Sequence, residues 1–236
     1  MARFSPTRWI VPALFAGAAV MTGTHAAGLI YHALVDGGTR GWLVALYGGL
    51  RAAVSAAFAV FTIGRAAPRR PARDPVAFVA CAVAMGTVLA FGDPPARSPE
   101  VSVLLGDVVA VAAYVWLLLA VSFLGRCFGV LPEARGLVRH GPYGVVRHPV
   151  YLGEIGACIG LALAAPSAFD LAMLVVFVGA QLIRMNLEEG ALRAAFPAAY
   201  DSYAKQVPRI IPWPRGGLRK TTQLVPDVPS ASPRGS

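Results

Sequence analysis

The residues best suited to chemistry gather in two places. The first is 135–154, RGLVRHGPYGVVRHPVYLGE, where charge, imidazole, glycine and proline crowd together in an otherwise apolar chain. The second is Arg184, Glu188 and Glu189. Ionisable groups and irregular backbone are costly among lipid, so a polar segment at the mouth of a membrane bundle is where chemistry is expected. The plainer reading of the first stretch is a basic loop that sets orientation. Within it, Gly141-Pro142 and His148-Pro149 force non-helical backbone on both sides of Tyr143. Gly136, Gly141 and Gly144 permit close approach of a ligand. Pro149 suits the first turn of a helix. On that helix His148, Tyr151 and Glu154 step by three and share a face. Arg184 and Glu188 are four apart, again on one face, and Glu189 follows directly. These groups describe a polarised pocket, in which a carboxylate holds a cationic or hydroxyl-bearing cofactor and Arg184 holds an anionic substrate group. The competing reading of the second place is a solvated helix end.

The elements that must position these groups are membrane helices. The chain has 236 residues, 56% hydrophobic and only 14% charged, which is the profile of an integral membrane protein. The net charge of +9 does not point to nucleic acid, because the arginines sit in short connections beside apolar runs. Cys81, Cys127 and Cys158 lie far apart without zinc spacing and read as small apolar side chains, so no metal site is expected. Apolar runs span 9–35, 42–64, 75–91, 101–124, 150–165 and 169–187. The first follows Arg3 and Arg8 and lacks a short core with a cleavage site, so it reads as a span and not a signal peptide. His25 and His32, seven apart in it, read as bundle-facing or interfacial histidines sooner than as a ligand pair. Arg51 lies mid-run in the second span and calls for a partner at matching depth, for which Asp107 is the candidate. Gly153, Gly156 and Gly160 give the fifth run a small-residue surface for packing on a neighbour.

These features predict an all-α integral membrane protein of about six transmembrane helices. The loop carrying Arg65, Arg69, Arg70 and Arg73 is expected to be cytoplasmic. Alternation then puts both termini and the 135–154 stretch on that side and leaves only Arg40 and Arg97 outside. Residues 1–125 read as a four-helix scaffold. Residues 126–214 read as the functional region, with two further spans and a C-terminal helix near 188–206. Residues 215–236 read as a disordered Pro/Ser/Gly tail. Pro166-Ser167 allows only a tight hairpin between the last two runs, so Arg184–Glu189 is expected to return beside Tyr143–Tyr151.

Three ordered motifs carry a resemblance. GLV-x-x-GPY-x-x-x-RHP-x-Y-x-G, then R-x-x-x-EE, then Y-x-x-Y-x-x-x-V-P-R-x-I-P resemble the isoprenylcysteine carboxyl methyltransferase family, to which phospholipid N-methyltransferases are related. The matching residues run from Gly136 to Pro212. The resemblance implies an integral membrane methyltransferase that uses S-adenosylmethionine without a soluble Rossmann domain, with the cofactor in a cytoplasmic pocket. It implies cofactor contacts from Arg135, Gly136, Leu137, Val138, Tyr143, His148, Pro149, Val150, Tyr151 and Glu188, and a substrate-binding, catalytic role for Arg184. The glutamine of the eukaryotic members has no counterpart near Phe128, and their longer glutamate run is only Glu188-Glu189 here.

Methyl transfer from a sulfonium is an in-line displacement, so positioning matters most. A carboxylate or thiolate acceptor needs no strong base, whereas an amine or hydroxyl must lose a proton. No Ser-His-Asp set, metal cluster or phosphate loop competes. The expected partners are the lipid bilayer and a small hydrophobic or lipidic acceptor, with no nucleic acid and no metal. If the chain is bacterial, its place is the cytoplasmic membrane. The glycine-lined fifth helix is expected to leave a lateral opening for the acceptor. Two other readings stand beside this one: a nicotinamide-dependent membrane reductase of the sterol type, which carries a similar RHP-x-Y segment, and a non-enzymatic membrane scaffold.

Overall fold

A computed structural model describes residues 7–63, 65, 74–90 and 99–212. The expected cytoplasmic loop at Arg69, Arg70 and Arg73 and the tail from Arg215 onward lie outside them. The described residues form helices and no strand. The helices are α1 (Thr7–Asp36), α2 (Thr39–Ile63), α3 (Pro75–Ala90), α4 (Glu100–Leu124), α5 (Pro149–Ala164), α6 (Ala168–Ala195) and α7 (Pro197–Gln206).

Four helices are long and apolar enough to cross a membrane: α1, α2, α4 and α6. The apolar α3 and α5 have 16 residues each, and at ~1.5 Å per residue they reach about 24 Å. That is shorter than a ~30 Å hydrocarbon core. Sequence and structure therefore agree on six apolar helices, four of which span by length alone. The sixth apolar run continues as one helix to Ala195, so Glu188 and Glu189 lie within α6 and not at its end. The break comes at Phe196-Pro197, where proline opens α7.

Packing follows the small residues. The glycine face of α5 lies on α4, since a methyl on Gly160 would meet the Ala110 nitrogen and the Gly106 carbonyl oxygen at 2.7 Å. On Gly153 it would meet the Leu117 Cβ at 2.8 Å. Backbones that approach this closely gain van der Waals contact that lipid cannot supply. This contact fills the glycine face of α5 with α4. Helix α3 packs against α6, and Ala84, Phe177 and Ala180 from that pair meet Cys158 of α5 in one apolar cluster. A second cluster joins Val54, Tyr114, Leu117, Val121, Phe128 and Ala157. Ser167 caps α6 by accepting from the Asp170 N–H at 3.0 Å, which fixes the tight hairpin after α5.

One expectation about buried polar groups fails and another is narrowed. His25 and His32 are exposed on α1, which excludes the bundle-facing alternative for them. Arg51 and Asp107 form no ion pair: Arg40 is the cation acting on Asp107, and Arg51 adjoins Tyr47 and Tyr114. Matching depth along two helices does not fix which way each side chain points around its axis.

Candidate functional site

The irregular segment between α4 and α5 is held by α7 and the residues beyond it. At Gly141 the backbone takes φ of 59°, and a side chain there would overlap the Phe123 ring. The next residues, Pro142 and Tyr143, are buried in a single 3-10 turn, Gly141–Gly144. Tyr203 of α7 donates from its hydroxyl to the Tyr143 carbonyl at 2.6 Å. The chain after α7 then runs back beside the stretch. The Arg147 N–H donates to the Pro208 carbonyl at 2.8 Å, and the His148 N–H to the Arg209 carbonyl at 3.1 Å. The third motif thus works as a clamp on the first. Its apolar side is the cluster of Tyr200, Tyr203 and Val207, packed against Leu137 and Leu192.

The two adjacent glutamates have different surroundings. Glu189 is enclosed by basic side chains: its Oε1 lies 2.9 Å from His148 Nε2, 3.3 Å from Arg147 Nη1 and 3.2 Å from Arg209 Nε. Glu188 faces the other way and accepts one hydrogen bond, from the Tyr151 hydroxyl at 2.8 Å. Its second oxygen has no protein partner among the described residues. One helical step of about 100° separates the two carboxylates, which is enough to put one in a clamp and the other at an open wall.

Arg184 is almost fully buried and tightly oriented. It donates to Gln181 Oε1 at 2.6 Å and to the Val130 carbonyl at 3.0 Å, and its guanidinium lies 5.0 Å from the centre of the Tyr151 ring. Glu154 balances its charge at 3.6 Å, and Gln181 also donates to Glu154. Its Nε–H is buried without a protein acceptor among the described residues. The face predicted for His148, Tyr151 and Glu154 is real, and all three line one cavity.

That cavity has a volume of about 270 Å³ and is walled by residues from all six apolar helices. Of the residues singled out in the sequence, Tyr143, His148, Pro149, Val150, Tyr151, Arg184 and Glu188 line it. Gly136, Leu137 and Val138 line a second space of about 30 Å³. Tyr143, His148 and Glu188 are common to both walls. Arg135 lines neither and instead pairs with Glu133, which lines both. Burial, with the Glu188 carboxylate beside it, pushes the Tyr143 phenol well above its ordinary range. Tyr143 therefore presents a neutral ring and hydroxyl at physiological pH.

Sequence reasoning passed over Gln181 and the Val130 carbonyl, and read Cys81, which lines the cavity and donates to that carbonyl at 3.4 Å, only as a small apolar side chain. Gln181 was visible in principle, as a lone amide one turn before Arg184 in an apolar run. The Val130 carbonyl was not, because any residue type supplies one.

No curated protein matches the chain. Residues 100–199, from the start of α4 into α7, match the model of the phospholipid methyltransferase family, a range that takes in the first two of the three motifs.

Proposed function

We propose that this chain is an S-adenosylmethionine-dependent methyltransferase of the membrane, acting on a hydrophobic or lipidic acceptor. The observation that carries the reading is Glu188. It is a carboxylate with one oxygen held by Tyr151 and the other without a protein partner among the described residues, on the wall shared by both cavities. The donor set fits the cofactor's chemistry. A free carboxylate oxygen suits an ammonium or ribose hydroxyls. Neutral tyrosine rings suit a sulfonium by cation–π attraction. Main-chain groups at Gly136, Leu137 and Val138 suit a purine edge. The bound cofactor supplies an electrophilic methyl group.

The chain's residues supply position. Glu188 and Tyr143 orient the cofactor where the two spaces meet. His148 is held by Glu189 and keeps the start of α5, with Pro149, Val150 and Tyr151, in place. Arg135 holds Glu133 at the wall. Arg184, oriented by Gln181, Glu154 and the Val130 carbonyl, offers its unpartnered Nε–H to an anionic acceptor group. Mostly apolar side chains of α1 to α4 wall the rest of the larger cavity, so the four-helix scaffold of residues 1–125 also shapes the acceptor's space. The arginine distribution supports a cytoplasmic active site in this reading.

The test is calorimetric binding of S-adenosylhomocysteine to detergent-purified protein and to Glu188→Ala. Micromolar binding that the variant loses is the expected result. A folded sample that binds reduced nicotinamide dinucleotide phosphate and not S-adenosylhomocysteine overturns the proposal in favour of a reductase.

A further inference from the structure

The larger cavity holds a second cation. Arg51 lines it from mid-length of α2. The phenol of Tyr47 adjoins both Arg51 and the hydroxyl of buried Tyr114, and the two rings meet edge to face at 5.4 Å. The other arginines at the cavity walls have carboxylates: Arg147 has Glu189 and Arg184 has Glu154. Arg51 has none among the described residues. A guanidinium at this depth is expensive without a counter-charge. On the part of the wall that α1, α2 and α4 supply, Phe15, Val54, Phe58 and Leu117 are apolar, and the polar Thr22, Ser55 and Tyr114 carry no charge.

Arg51 is also set apart from Arg184. Arg51 reaches the cavity from α2, beside Tyr114, whereas Arg184 reaches it from α6 and lies against Tyr151. The cavity thus presents two guanidiniums from two different helices.

We infer that Arg51 and Tyr114 form an oxyanion-binding subsite, and that the molecule occupying the larger cavity is an amphiphile carrying a carboxylate or phosphate there. Calling that molecule the methyl acceptor rests on the proposed function; the subsite does not. The anion completes the charge that α2 leaves unbalanced, and the apolar wall takes the chain. Arg184 remains for the group near the cofactor.

Binding of dodecanoate, dodecyl phosphate and dodecanol to the purified protein in non-ionic detergent tests the inference. A hydrogen-bonded charge pair predicts that at least one anion binds about tenfold or more tightly than the alcohol of equal chain length. The preferred anion identifies the headgroup as carboxylate or phosphate. Arg51→Gln brings all three probes to similar affinity, while Arg51→Lys keeps a preference for the anion. Circular dichroism establishes that each variant is folded. Wild-type protein that binds the alcohol as well as both anions overturns the subsite, whether or not Arg51→Gln folds. A folded Arg51→Gln that keeps the preference overturns it too. Binding of S-adenosylhomocysteine, measured on the same samples, separates the two ideas. If it binds without any anion preference, only the subsite fails; an anion preference without its binding leaves the subsite and removes the methyltransferase.

Discussion

Replacing Glu189 with glutamine removes the charge that His148, Arg147 and Arg209 share, while Glu188→Gln one residue earlier removes a charge facing an open wall. The two variants should therefore fail in different ways. The Arg147 and Glu189 side chains are each 14% exposed and that of His148 is 3% exposed, so these two contacts are only weakly screened by water. The Arg209 side chain is 32% exposed, and its contact counts for less. Hydrogen bonds to charged groups contribute ~1.5–3 kcal/mol each, and glutamine keeps one acceptor oxygen, so a net loss of about 2–3 kcal/mol is expected. For a chain of this size that lowers Tm by roughly 4–12 °C. The clamp of α7 and residues 207–212 should loosen as well, which limited proteolysis reads as new cleavage near Lys205 and Arg209. Glu188→Gln should shift Tm by less than about 1 kcal/mol equivalent, because its amide oxygen still accepts from Tyr151. It should instead weaken S-adenosylhomocysteine binding. Equal Tm losses in the two variants, or an unchanged Tm in Glu189→Gln, would refute the division of roles.

Gly160→Ala should destabilise by about 1–3 kcal/mol, because its methyl meets α4 backbone. Gly179→Ala, where a methyl meets nothing within 4 Å, should be neutral or stabilising; similar melting shifts for both would contradict the packing. Tyr203→Phe loses the hydrogen bond to the Tyr143 carbonyl and should cost roughly 1 kcal/mol in thermal unfolding. Burial holds the Tyr143 and Tyr203 phenols above their ordinary range and pushes Tyr200 up to about 12. A raised folded pKa gives stability that is complete below the unfolded value of ~10 and fades as pH climbs through the folded value. Melting temperature should therefore hold steady to about pH 9.5 and fall between about 10 and 12. Phenolate absorbance of the folded protein in which every tyrosine titrates with a midpoint at pH ~10 would contradict this.

Much of the helical layout was legible because its determinants are local. The apolar runs, with Pro75 opening the third and Pro149 the fifth, mark those helices to within a few residues, whereas Pro197, which opens α7, was read through. The return of Arg184–Glu189 beside Tyr143–Tyr151 was legible from the shortness of the connection at Pro166-Ser167. The end of α6 was not, because polar residues after Leu187 look like a new segment whether or not the helix continues.

What the sequence by itself determined was an all-helical membrane chain with its ionisable residues in two motifs close in space. The tertiary structure alone decided the partners. Glu188 and Glu189 have the same side chain one position apart, and only the returning segment around Arg209 makes one a clamp and leaves the other open. Arg51 and Asp107 matched in depth, yet their azimuths give Arg51 two phenols and Asp107 the charge of Arg40. The glycine face of α5 promised a close neighbour, and only the packed bundle chose α4. Helix formation depends on residues within a few positions of each other; the partner of a buried charge depends on which helix faces it, and the spacing within one run does not encode that.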